Sequence, residues 1–75
     1  MKTIIIMGGN DVSLNIGKIL KKKKFRVIFI FRKKKKIFSS FENKIISVSN
    51  YKKYKEFFNH IRPDYLINMY IVSNL

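Results

Sequence analysis

The sequence predicts an α/β domain in which a parallel sheet of four strands is flanked by two helices. Two observations favour this class. Short apolar, β-branched runs alternate with segments whose apolar residues recur at helical spacing, and a glycine turn separates the first run from the first such segment. A chain of 75 residues is long enough for one small domain. The predicted element order is β-α-β-β-α-β, and the predicted strand order in the sheet is 3-2-1-4.

The first two strands are the most apolar parts of the chain. TIIIM predicts a buried strand over residues 2–7, because the run is short, β-branched and ends at glycine. FRVIFIF predicts a second strand over residues 26–31, and its continuous apolar character is typical of a central parallel strand. Both strands are therefore expected in the middle of the sheet.

A helix is predicted between these strands, over residues 13–24. The lysines at 21–24 suit its negative C-terminal end. Candidate N-caps are Asn10, Asp11 and Ser13, and the predicted apolar face contains Ile16, Ile19 and Leu20.

The second half of the chain predicts a loop, a strand, a helix and a last strand. The loop spans 32–43, and its lysine block is expected to be solvated or disordered. The strands are predicted over 44–48 and 64–70, with the second one lacking a following helix to cover it. The helix is predicted over 51–61, before Pro63, with a packing face formed by Tyr51, Tyr54, Phe58 and Ile61.

Composition excludes several classes of protein. The chain contains no cysteine, so neither a disulfide framework nor a thiolate metal site is available. No apolar run reaches the roughly 18 residues that span a bilayer, and the apolar segment of the N-terminus ends too soon for a signal peptide. We therefore expect a cytoplasmic protein that does not act at a membrane.

The chain is strongly basic, with a formal net charge of +13. Such a charge can indicate a nucleic-acid-binding protein. However, Lys, Ile, Asn, Phe and Tyr, which have A/T-rich codons, make up more than half of the residues, and alanine is absent. We attribute most of the charge to this codon bias. A small basic nucleic-acid-binding protein remains the alternative function, and nonspecific binding of nucleic acid is expected at low salt.

The turn after the first strand resembles the start of a nucleotide-binding α/β domain. Gly8, Gly9 and Asn10 lead into a helix, whose N-terminal N–H groups and positive dipole end would face a phosphate. A dinucleotide-binding turn contains three glycines, and only two are present here. A plain tight turn is the alternative interpretation.

Three segments resemble one enzyme family. GNDVS at 9–13 is similar to G-Q-D-G-S, SSFENKI at 39–45 to Ser-Ser-Phe-Asn-Thr-x-Arg-Ile, and IRPDYLINMYIVSNL at 61–75 to I-K-P-D-E-I-Y-N-L-A-A-Q-S-H-V. These motifs occur near the N-terminus of the extended short-chain dehydrogenases, the NAD(P)-dependent sugar-nucleotide epimerases and dehydratases. Within them the chain most resembles the GDP-mannose 4,6-dehydratases, and the last segment is the most specific match.

The resemblance implies a partial Rossmann fold, that is, part of a doubly wound parallel sheet. Residues 1–75 would then be a single incomplete dinucleotide-binding domain, truncated or degraded and inactive alone. The implied cofactor is NADP, or NAD, and the implied substrate of full-length members is a nucleotide sugar. Expected partners are a complementary C-terminal fragment or further copies of the chain. The cofactor-binding residues implied are Gly8, Gly9, Asn10, Asp11, Arg32, Asn68 and Ser73.

Arg32 favours NADP over NAD. The residue follows the second strand, where members that prefer NAD carry an acidic side chain for the ribose hydroxyls, and a cation there suits a 2′-phosphate. A solvated arginine is the alternative. For Asn68 and Ser73, hydrogen bonding at the strand end is an equally good interpretation.

Other candidate residues predict no chemistry. YKKYK at 51–55 has the Tyr-x-x-x-Lys spacing of the family's catalytic pair, but it opens a helix with Tyr51 on the packing face, and we interpret it as coincidence. His60 has no ligand at metal-binding spacing and is predicted at the surface. No catalytic and no metal-binding residue is predicted.

Two departures from the family pattern concern the cofactor turn. Val12 stands where the family has the last turn glycine, or Leu14 if the chain is aligned to the T-G-G-x-G-x-x-G form of the turn. A branched side chain there is expected to hinder both close helix–strand packing and approach to the pyrophosphate. Tyr70 and Ile71 replace a pair of alanines and are expected to crowd the cofactor ribose.

Overall fold

The computed structural model describes residues 1–70 and confirms the α/β fold class. Strands, helices and one short 3₁₀ turn alternate in the predicted order. Their bounds are β1 Thr3–Met7, α1 Asp11–Lys22, β2 Arg26–Phe31, a 3₁₀ turn at Lys36–Phe38, β3 Glu42–Ile45, α2 Tyr51–Ile61 and β4 Tyr65–Asn68.

The four strands form one parallel sheet in the order β3-β2-β1-β4, as predicted. Ile5 in the middle of β1 pairs with Ile28 of β2 on one side and with Leu66 of β4 on the other. The chain leaves β1 towards β2 and returns to the opposite side of β1 through α2. The strand order therefore reverses at β1, and the carboxyl ends of all strands meet at one edge of the sheet.

The two faces of the sheet have different cores, because successive side chains of a strand point to opposite faces. On the α2 face, isoleucines of β1 and β2 pack with Tyr54 and with partly buried Phe57, Phe58 and Ile61. On the α1 face, Phe29 and Phe31 of β2 pack with Phe38 and Phe41 from the segment that follows. Ring centroids in this aromatic cluster lie 4.7 to 5.6 Å apart. Each such pair adds about 0.5–1.5 kcal/mol beyond area burial.

Gly17 allows α1 to lie directly on the aromatic cluster. A Cβ at this position would be 2.6 Å from Cζ of Phe29, so any larger residue would push the ring or the helix away. The close helix–strand approach that the sequence assigned to position 12 therefore occurs at Gly17. Val12 is 58% exposed and does not obstruct this packing, so that part of the prediction was wrong.

Several predicted boundaries were also wrong. β3 runs over Glu42–Ile45 rather than 44–48, because it pairs with Ile28 to Phe31 of β2. All four of its side chains are exposed, so no apolar pattern marked them. β4 ends at Asn68, which pairs with Met7, the last residue of β1. α1 begins at Asp11 because Asn10 is the N-cap, and it ends at Lys22.

The loop over 32–43 is more ordered than the sequence suggested. Phe38 and Phe41 are buried, and residues 35–41 make three turn hydrogen bonds, from the N–H groups of Phe38, Ser39 and Phe41 to the carbonyls of Lys35, Lys36 and Phe38. The lysines of this segment are exposed. The prediction of a solvated run is thus confirmed for the lysine side chains and wrong for the backbone, which the phenylalanines attach to the sheet.

Two residues were assigned wrongly to packing faces. Tyr51 is 82% exposed, since it is the first residue of α2 and lies before the turn that reaches the sheet. Ile19 is 56% exposed, and α1 packs instead through Leu14, Ile16 and Leu20.

We expect Gly17→Ala to destabilise the fold by about 1–3 kcal/mol, because the new methyl group overlaps the Phe29 ring. This loss exceeds the gain of up to ~1 kcal/mol that alanine gives a helix interior. Chemical denaturation measures the change. Asn15→Ala, at an exposed position of the same helix, is the control and should be neutral or slightly stabilising. An equally neutral Gly17→Ala would contradict the close contact.

A second prediction concerns the ion pair that joins β2 to β3. The Arg26 guanidinium donates two hydrogen bonds to the Glu42 carboxylate, at 2.8 and 2.7 Å, and lowers the pKa of that carboxyl from its usual 4.5. Since the folded-state pKa is the lower one, the ionised pair stabilises the fold above about pH 4.5, and this contribution is lost as the pH falls further. Glu42→Gln should flatten the acid limb of the stability profile, which chemical denaturation across the acid pH range measures. The matched control is Glu56→Gln, at an exposed position outside the ion pair found in residues 1–70.

Candidate functional site

A cleft of about 620 Å³ lies at the carboxyl edge of the sheet, next to the strand at which the strand order reverses. Open α/β sheets bind their ligands at this place. Three segments line the cleft: the turn after β1 (residues 8–10), the end of β2 with the chain that follows it (residues 31–35), and residues 69–70 after β4.

Both glycines of the turn are required by their surroundings. Gly8 has a φ of 104°, which side-chain-bearing residues rarely adopt, and its N–H donates to the Ile30 carbonyl at 2.9 Å. Gly9 lies against side chains: a Cβ there would be 2.7 Å from the Phe31 ring and 2.8 Å from Cδ of Lys35. The turn therefore fits tightly between β2 and the lysine segment.

Asn10 and Ser13 form a reciprocal capping box at the start of α1. Oδ1 of Asn10 accepts from the Ser13 N–H at 2.8 Å, and Oγ of Ser13 accepts from the Asn10 N–H at 2.9 Å. Ser13 is fully buried and also donates its hydroxyl to the Asn10 carbonyl. Two of the four N-terminal N–H groups are thus satisfied, and those of Asp11 and Val12 have no acceptor within the helix.

The cleft is strongly positive. Four consecutive cations, Arg32 to Lys35, line it, and no acidic residue does so among the described residues. Closely spaced cations without counter-charges create a potential that attracts anions. Phosphate groups are therefore the ligand chemistry that this cleft favours.

Tyr70 closes one side of the cleft. Its ring lies 5.2 Å from the Arg32 guanidinium carbon, and its hydroxyl donates to the Ile30 carbonyl at 3.3 Å. Burial raises the pKa of Tyr70 to about 12, the nearby Tyr54 hydroxyl acts in the same direction, and the charge of Arg32 opposes both. The Tyr54 hydroxyl is itself buried and has no hydrogen-bond partner within residues 1–70.

The structure brings together four of the seven residues predicted to bind a cofactor. Gly8, Gly9, Asn10 and Arg32 line the cleft. Asp11, the first residue of α1, is exposed, and its carboxylate is not part of the lining. Asn68 ends β4, and its side chain accepts from the Tyr70 N–H at 3.0 Å, so it shapes the chain beside the cleft without lining it. Ser73 and Ile71 lie outside the described residues.

The sequence did not place the lysines at positions 33–35 in the cofactor site, although all three line the cleft. The lysine run was interpreted as solvated charge because nothing in the composition distinguishes these lysines from the others. The phenylalanines at 38 and 41 were the signal: two large apolar residues close behind a lysine run indicate that the run is attached to a core.

The other candidates do not contribute to the cleft. Tyr51 and Lys55 lie on α2, are exposed and do not line the cleft. His60 is exposed near the end of the same helix, as predicted. Within residues 1–70, no three His, Cys, Asp or Glu side chains are grouped as metal ligands would be.

Comparison of the chain with protein-family models, curated proteins and solved structures gives no match. None of the helices described here has the length and apolar character needed to cross a membrane.

We expect the ultraviolet titration of tyrosine in the folded protein to contain a phase near pH 12 that belongs to Tyr70. The phase should be absent in Tyr70→Phe and should shift to the ordinary range in denaturant, because unfolding removes the burial that raises the pKa. Tyr51→Phe, at a highly exposed position, should leave it in place. A titration without this phase would show that the phenol is solvated.

Proposed function

We propose that this chain binds the phosphorylated adenosine half of an NADP-type dinucleotide. The observation that supports the proposal is the cleft beside β1, where a glycine turn, the start of a helix and four consecutive cations converge without an acidic residue in the lining. Glycine turns at helix N-termini and cationic side chains both recognise phosphate.

Two parts of the cleft lining suit the two phosphate groups of such a ligand. The turn at residues 8–10, which lines the cleft just before the start of α1, suits the pyrophosphate. Arg32 follows β2 and would pair with the 2′-phosphate, which favours NADP over NAD. Tyr70 lies over Arg32 and would have to turn aside or stack on the ligand.

The resemblance of the three sequence segments supports a more specific proposal. The chain would represent the cofactor-binding part of an NADP-dependent sugar-nucleotide dehydratase or epimerase, similar to the GDP-mannose 4,6-dehydratases. In that family the base and the sugar-nucleotide pocket come from other parts of the protein. We therefore propose a cytoplasmic cofactor-binding unit that converts no nucleotide sugar by itself and works with a complementary chain or with further copies.

The alternative function, nucleic-acid binding, is favoured by the charge alone. Exposed lysines occur on α1, on α2 and in β3 as well as at the cleft, so they do not form one stripe that follows a phosphate backbone. Such a distribution supports nonspecific, salt-sensitive association.

We expect NADP to raise the melting temperature of the protein more than NAD does. Arg32→Gln should remove this preference, because the variant loses the cation expected at the 2′-phosphate. Arg62→Gln is the matched control: it changes the net charge equally, but Arg62 lies after α2 and does not line the cleft. Thermal shift and isothermal calorimetry at 0.15 M salt measure both effects.

The opposite pattern would contradict the proposal. If neither dinucleotide stabilises the protein, while nucleic acid binds with an affinity that falls steeply with salt and equally in both arginine variants, the charge serves a polyanion and not a cofactor.

A further inference from the structure

We propose that Lys35 is the residue that binds the pyrophosphate at the glycine turn, with Arg32 left to bind a separate phosphate. This assignment rests on the function proposed above and gives Lys35 and Arg32 different phosphate groups to bind. In this proposal the turn does not bind the pyrophosphate through its backbone alone.

The aliphatic stem of Lys35 lies directly on the turn. A Cβ on Gly9 would be 2.8 Å from Cδ of Lys35 and 2.7 Å from the Phe31 ring, so these two side chains cover the Cα of Gly9. A ligand cannot occupy the same space. The stem of Lys35 therefore covers the turn at this point, and because the ammonium is only two bonds beyond Cδ, it can reach a phosphate bound beside the turn.

The backbone of Lys35 is better fixed than that of Lys33 and Lys34, the two lysines before it. Its carbonyl accepts from the Phe38 N–H at 3.2 Å, and Phe38 is fully buried against Phe29 and Phe31. Lys33 and Lys34 make no turn hydrogen bond of this kind within the described part of the chain. The aromatic cluster thus holds Lys35 at a defined distance from the turn.

The charge of Lys35 is not neutralised by the protein. Within residues 1–70 its ammonium has no hydrogen-bond acceptor, and the ion pair found there joins Arg26 to Glu42. The capping box already occupies the N–H groups of Asn10 and Ser13, which reduces what the helix end can offer an anion. A lysine beside the turn supplies the charge that the backbone lacks.

Two ligands separate the roles of Lys35 and Arg32. Adenosine diphosphate contains the pyrophosphate without a 2′-phosphate, and adenosine 2′-monophosphate contains the 2′-phosphate without a pyrophosphate. Lys35→Met should weaken binding of the diphosphate about tenfold, since a charge-assisted hydrogen bond is lost. It should leave the 2′-monophosphate within about twofold, whereas Arg32→Gln should do the reverse.

Lys36→Met is the matched control for charge. It removes one positive charge from the same run, and Lys36 does not line the cleft. In Lys35→Met, methionine keeps most of the aliphatic stem that covers Gly9, so the turn should remain packed. Circular dichroism with thermal melting checks the fold of each variant. Lys35→Arg should retain binding of the diphosphate.

The outcomes are distinct. Equal losses in Lys35→Met and Lys36→Met, with a wild type that binds the diphosphate, would overturn the role of Lys35 and leave the proposed function standing. A wild type that binds neither ligand, measured by calorimetry up to millimolar concentration, would overturn both.

Discussion

The contact between the Phe29 ring and the backbone of α1 at Gly17 is the constraint on which the rest of the structure depends. Phe29 lies in the middle of β2, is fully buried, and touches the helix where a side chain is missing. The same ring packs edge-on against Phe38 and Phe41, which pulls the segment after β2 back onto the sheet. The Phe29 ring therefore sets the distance between α1 and the sheet and also fixes the segment that contains the cations after β2.

The charge of the chain makes this aromatic attachment necessary. A net charge of +13 on 75 residues favours expansion, and consecutive lysines without acidic neighbours repel one another. Burial of Phe38 and Phe41 opposes that repulsion, each by about 1.5–3 kcal/mol. An anion bound in the cleft would relieve the same repulsion, so ligand binding and folding should be coupled through these residues.

The sequence predicted the fold class, the strand order and the central strands, because β1 and β2 are continuous apolar runs whose burial leaves little choice of structure. The sequence-based prediction failed where the structure depends on contacts between residues that are distant in sequence. β3 is an exposed edge strand defined by its hydrogen bonds to β2, and Phe38 and Phe41 were hidden in a polar segment. For the site, the turn and Arg32 were predicted from local pattern. Lys35 was not, because its place depends on the tertiary position of Phe38.

The glycines of the turn do not by themselves indicate a ligand. Gly8 is required by its positive φ and by its proximity to Met69, and Gly9 by the side chains of Phe31 and Lys35, so both are explained by the packing of the protein alone. The capping box likewise completes the helix end from within the chain. The packing of the protein does not explain the uncompensated positive charge of the cleft. Four adjacent cations converge where the strand order reverses, and no acidic residue of the described part of the chain lines the cleft with them. The case for a phosphate ligand therefore depends on uncompensated charge and not on the number of glycines.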